Sequence, residues 1–161
     1  MILVTHGMVG GAVAVATGNP IAGALAAFVS HFVLDAIPHW DYEVDAVDKG
    51  DIFSEHELNQ NKMKTAMLKV GFDGLLGMSV PLILAYVLGE SLFLVFLGAG
   101  FAILPDFLQF VYLKTKTTLL HGFMEFHHGI HSHIRLDGKP LVGLFTQSLF
   151  WVAAVVVMWH F

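Results

Sequence analysis

Residues 30–41 read Ser30-His31-Phe32-Val33-Leu34-Asp35-Ala36-Ile37-Pro38-His39-Trp40-Asp41 and close an apolar run that begins at Pro20. An ionisable group inside such a run costs about 2.5–3.5 kcal/mol on insertion scales and by default reads as functional. His31 and Asp35 are four residues apart, so on a helix they share one face. Pro38 lacks an N–H and discourages the helix from continuing, which places His39 and Asp41 on a tighter turn. Two imidazoles and two carboxylates in residues 31–41 supply nitrogen and oxygen ligands for a divalent metal.

The surroundings of this stretch are those of a membrane protein. Of 161 residues 56% are hydrophobic, fourteen are Phe, and 13% are charged, about half the charged share of a soluble domain. The mean hydropathy is +0.71. Residues 1–161 therefore read as a single integral membrane domain: an all-α, polytopic helical bundle of about five transmembrane helices plus an amphipathic histidine-rich segment. The net charge of −5 gives nucleic acid no basic surface to bind. With no cysteine, disulfides and thiolate metal sites are excluded. The N-terminus has neither a basic n-region nor a clear cleavage site and reads as a retained membrane segment.

The predicted spans cover about 2–17, 20–37, 65–88, 91–113 and 140–159. Gly7 and Gly11 form a small-xxx-small pair suited to close helix approach. Asn19-Pro20 reads as an N-cap followed by proline at the first helical position. Pro81 predicts a kink in the third span, and Trp151 and Trp159 are available as interfacial anchors. Residues 41–64 form a polar connection in which Ser54 and Glu57 suit a capping box. With about five spans, all eight basic residues (Lys49, Lys62, Lys64, Lys69, Lys114, Lys116, Arg135 and Lys139) fall on one side. The positive-inside rule makes that side cytoplasmic, with the N-terminus on it, in an inner membrane of prokaryotic type.

The other candidate ligands sort to the same side. His6 opens the first span, Asp73 lies early in the third, and Asp106 lies late in the fourth, just before a histidine cluster. Asp106 has no basic neighbour in sequence, so a metal is its simplest partner. Asp73 has Lys69 four residues before it and needs an ion least. On a helix His131 shares a face with both His127 and His128, and two of the three are expected to ligate. The predicted metal ligands are thus His6, His31, Asp35, His39, Asp106, His127, His128 and His131. His121 and His133 read as interfacial, and His56 and His160 as bystanders.

Thr5-His6-Gly7, Ser30-His31 through Pro38-His39, Leu104-Pro105-Asp106 and His127-His128-Gly129-Ile130-His131-Ser132 resemble motifs of the membrane-bound metal-dependent hydrolases of bacteria and archaea (the YdjM-like group). Those proteins carry an early His, an LPD motif, an HRG-x-THS motif and an SH-x-x-x-D-x-x-x-P-type motif. Here the SH-x-x-x-D element comes before the LPD element, and the histidine motif is one residue shorter. The resemblance implies a membrane hydrolase that uses a metal.

Mixed His and carboxylate donors without sulfur suit zinc first, with manganese or iron as alternatives. Water activated by the ion is the expected nucleophile, with Asp41 or Glu125 accepting its proton. A site at headgroup depth points to a membrane lipid or a lipid-linked ester or phosphoester as substrate. The sequence contains neither G-x-S-x-G nor H-E-x-x-H, which disfavours covalent serine catalysis and a zincin protease. The competing reading is a metal-ion or proton transporter that uses the same His/Asp cluster.

Overall fold

The structure, a computed structural model, describes residues 1–41, 60–132, 134, 136 and 139–161. The predicted capping box at Ser54 and Glu57, together with His56 and His133, lies outside the described residues. Among those described, the chain is all-helical: α1 (Leu3–Thr17), α2 (Pro20–Asp35), α3 (Gln60–Leu88), α4 (Leu92–Thr115), α5 (Thr118–Ile130) and α6 (Pro140–His160). The Asn19 side chain caps α2, accepting from the N–H groups of Ile21 and Ala22 at 3.0 Å, with Pro20 at the first position as its sequence predicts. Ser91 caps α4 through the Leu94 N–H.

Three helices are long and apolar enough to cross a membrane: residues Lys64–Leu88 of α3, all of α4 and all of α6. At 15 and 16 residues, α1 and α2 rise only about 22–24 Å, short of a hydrocarbon core of about 30 Å. Together with the three long helices they account for the five apolar segments expected from the sequence. α2 stops at Asp35 because Pro38, three residues on, cannot extend the helix. As α1 and α2 run out and back, the start of α3 shares a side with the start of α1 whether or not the pair reaches the far interface.

α1 is the axis of the bundle. It packs against α2, α3, α4 and α6, and eleven of its fifteen residues are buried. By contrast, α6 buries only Gly143, Gln147, Ala154 and Met158, whose spacing marks a single face. The outer surface is apolar, with Ile21, Leu68, Val87 and Leu141 all largely exposed, the pattern of a protein solvated by lipid rather than water.

Small residues permit this packing. A Cβ on Gly7 would collide with the Gly77 carbonyl oxygen of α3, and one on Gly10 would collide with Gly98 and Ala102 of α4. Pro81 has no N–H to offer the Gly77 carbonyl, so the group faces α1 instead. The close-approach pair is therefore Gly7 with Gly10, each serving a different neighbour. Gly11, the predicted partner, meets the looser Val95 side chain. Gly10→Leu is expected to destabilise the detergent-solubilised protein by at least ~1–3 kcal/mol, read as a lowered thermal midpoint. Gly100→Leu, at a site where a Cβ meets nothing within 4 Å, should leave that midpoint nearly unchanged.

Candidate metal centre

Asp35 is the hub of a buried cluster at one end of the bundle. The end of α2 fixes it, with Ala36 N–H bonded to the Phe32 carbonyl at 3.1 Å. His31, one turn earlier, brings Nε2 to 3.1 Å from Asp35 Oδ2. His127 of α5 reaches the same oxygen at 3.3 Å, and His6 of α1 reaches Oδ1 at 3.2 Å. Beyond α5 the chain docks on the turn after α2, through Ser132 N–H to the Asp35 carbonyl (2.8 Å) and Leu136 N–H to the His39 carbonyl (3.5 Å). This docking sets the His131 ring 4.9 Å from that of His39.

His31, Asp35, Asp106 and His127 form a four-donor group that can hold a metal ion. The His31 and His127 Nε2 atoms lie 3.1 Å apart, and each lies 3.8 Å from Asp106 Oδ1. Donors about 2.0–2.2 Å from one tetrahedral ion sit about 3.3–3.6 Å from each other, so the observed spacings bracket that value. A second group, Asp35 with His39 and His131, shares the same carboxylate.

Three observations favour a cation over simple pairing. His31 Nδ1 lies 2.8 Å from the Ala102 carbonyl and His39 Nδ1 lies 2.7 Å from the Ile37 carbonyl. A carbonyl can only accept, so each Nδ1 carries the proton, and in the neutral ring Nε2 is left with a lone pair. This is the outer-shell arrangement of metal-ligating histidines. The His31 lone pair then points at a carboxylate and at another imidazole, an arrangement that a cation between them satisfies. Thirdly, His6 is fully buried and neither of its ring nitrogens makes a hydrogen bond. Its Nε2 contact with Asp35 is close but misaligned, and an unpaired buried polar group costs ~1–3 kcal/mol.

Outside the helices, burial pushes His131 down to about 4. Burial, reinforced by the adjacent Met1 ammonium, likewise lowers His39. Both rings are therefore neutral at pH 7, the form that ligates. The Met1 nitrogen lies 2.7 Å from His39 Nε2, 3.2 Å from Asp35 Oδ1 and 3.4 Å from Asp41 Oδ2.

Of the residues named from sequence, His6, His31, Asp35, His39, Asp106, His127 and His131 converge. Asp41 stands at the edge, with its side chain 44% exposed. Glu125 does not join them: it is 63% exposed and faces His121 of its own helix at 3.7 Å. His128 lies on the exposed side of α5 and belongs to neither metal-ligating group. With Gln109, Met124, His127 and His131 it lines a pocket of about 20 Å³, room for about one water. The separation arises because α5 ends at Ile130, so His131 is not held to a helical face shared with both histidines before it.

Asp73 has a structural role that its spacing from Lys69 does not suggest. Its carboxylate accepts from the N–H groups of Leu3 (2.7 Å) and Val4 (3.2 Å), satisfying the first turn of α1 from α3. A second polar assembly, also absent from the sequence reading, braces the other flank. Trp151 Nε1 donates to Thr5 Oγ1 at 3.0 Å, and Thr5 donates to Gln147 Oε1 at 3.1 Å. Gln147 Nε2 in turn donates to the Trp40 carbonyl at 2.9 Å. Trp151 therefore cross-links α6 to α1 instead of anchoring an interface, and the chain of bonds ends on the turn that carries His39. The Trp40 Cβ closes over Gly143, where no side chain would fit.

Comparison with known proteins adds no assignment: no family model, curated protein or solved structure matches this chain.

Proposed function

We propose that this protein is a membrane-embedded, metal-dependent hydrolase that acts on a lipid-linked ester or phosphoester at headgroup depth on the cytoplasmic side of a prokaryotic-type inner membrane. The observation that carries the reading is the four-donor group around Asp35, whose spacings bracket those of a tetrahedral ion and whose His31 is held by the Ala102 carbonyl on Nδ1. The donor set of nitrogen and oxygen favours zinc, with manganese or iron next. A divalent ion supplies Lewis acidity and lowers the pKa of water to about 7. His31, Asp35, Asp106 and His127 would hold it, the Ala102 carbonyl orients the His31 ring, and Asp41 at the open edge would take the proton from water. Glu125 is too far outside the cluster for that role. The motif resemblance to the membrane-bound metal-dependent hydrolases agrees with this reading.

The transporter reading is weaker for a positional reason. Away from the cluster, the core between α1, α3, α4 and α6 is Met8, Ala12, Val15, Ala85, Val95, Ala154 and Met158. An ion crossing that half of the bundle would meet no ligand, at a cost of several kcal/mol or more. Hydrolysis needs only access to water and to a headgroup.

Protein reconstituted in liposomes is expected to hydrolyse a member of a panel of phospholipids and polyprenyl phosphates and to pass no metal or proton current. His31→Gln should lower turnover by ~100-fold or more. Saturable flux that disappears in His31→Gln, with no hydrolysis across the panel, would replace the enzyme with a transporter.

A further inference from the structure

We infer that the cluster holds two divalent ions and that the Asp35 carboxylate bridges them. The inference rests on the metal reading above and deepens it. Seven side chains converge here, whereas a tetrahedral ion takes four donors. Five of them sort about the two oxygens of Asp35, and His131 lies 3.9 Å from Oδ2. Oδ2 faces His31 and His127 at 3.1 and 3.3 Å, with Asp106 completing that group. Oδ1 faces His6 at 3.2 Å and the Met1 nitrogen at 3.2 Å. That nitrogen lies 2.7 Å from His39 Nε2, which puts His39 on the Oδ1 side.

The second position satisfies an independent requirement. His6 is buried with Nε2 3.2 Å from Oδ1 and no hydrogen bond to either ring nitrogen. One ion on the Oδ2 side leaves that imidazole unsatisfied and leaves the second ligand group of Asp35, His39 and His131 unfilled. A divalent ion there takes His39, His131 and Asp35, with His6 and Asp41 adjoining.

Two ions on one bridging carboxylate define the substrate class. Metal pairs about 3.5–4 Å apart clamp both the attacking and the leaving oxygen of an in-line displacement at phosphorus. Such a pair suits a phosphoester, whose attacking and leaving oxygens it can hold together. Water would add to phosphorus as the P–O bond to the leaving oxygen breaks, and the proton lost by water would pass by way of Asp41 to that oxygen, which departs as the alcohol.

The test is stoichiometric. Full-length protein in detergent is stripped with chelator, loaded with Mn(II), desalted, and examined by elemental analysis and electron paramagnetic resonance. Two tightly held ions per chain with an exchange-coupled spectrum are expected. His131→Ala should retain one ion and show the pattern of an isolated Mn(II). One ion in the wild type, uncoupled, would overturn the bridged pair and leave the single-metal hydrolase standing. No retained ion would overturn both. The wild-type measurement decides without relying on any variant's folding.

Discussion

Asp35→Asn is expected to empty the site. The substitution keeps the shape of the side chain but removes the charge that His6, His31 and His127 all face at 3.1–3.3 Å. Loss of a direct ligand should weaken metal binding by well over the ~100-fold typical of losing a supporting partner. Metal content after desalting should fall to background, and turnover with it. Two carboxylates serve as internal comparisons. Glu125→Gln lies on the exposed side of α5 and should keep both metal and activity. Asp73→Asn should keep the metal while losing ~1–2 kcal/mol of stability, since it weakens two bonds to the first turn of α1. Full metal retention in Asp35→Asn would mean that the cluster is held by imidazole–carboxylate pairing alone.

The second large effect is one of sidedness, and it is all-or-none. With no cysteine in the chain, single cysteines report without background. Lys114→Cys, in the last turn of α4, should react with a membrane-impermeant maleimide only from the proposed cytoplasmic side. Glu90→Cys, in the turn between α3 and α4, should react only from the other. Labelling of both from one side would refute the orientation on which the substrate assignment depends. Ala16→Cys, near the tip of the α1–α2 pair, then decides how far that short hairpin reaches. Reaction together with Glu90→Cys means that it crosses. Protection from both sides means that its tip ends within the bilayer.

Much of this arrangement is legible in the chain before any coordinates, because lipid imposes a coarse code. Apolar runs bounded by Asn19-Pro20, Pro38 and Lys139-Pro140 announce their helices, and an Asp four residues after a His within such a run has few uses. Other features escape sequence reasoning for identifiable reasons. Asp73 serves backbone groups about 70 residues away, and local spacing offers Lys69 first. Thr5 and Gln147 are neutral residues in apolar segments, a common occurrence that carries no charge penalty to flag them. Glu125 and His128 sit on an amphipathic helix where spacing defines two faces without saying which one is covered. His131 illustrates a further limit: heptad-style reasoning assumes that the helix continues, and here it ends one residue earlier.

The central position of α1 has a consequence for biosynthesis. Of the six helices described, the one made first is enclosed by α2, α3, α4 and α6, and it is too short and too polar at its start to rest alone in lipid. Thr5 awaits Gln147 and Trp151, Leu3 and Val4 await Asp73, and His6 awaits Asp35. Each of these partners is made later, and the last of them belongs to α6. The helix made first is therefore the last to be fully satisfied, and the bundle matures as one late, cooperative event rather than hairpin by hairpin.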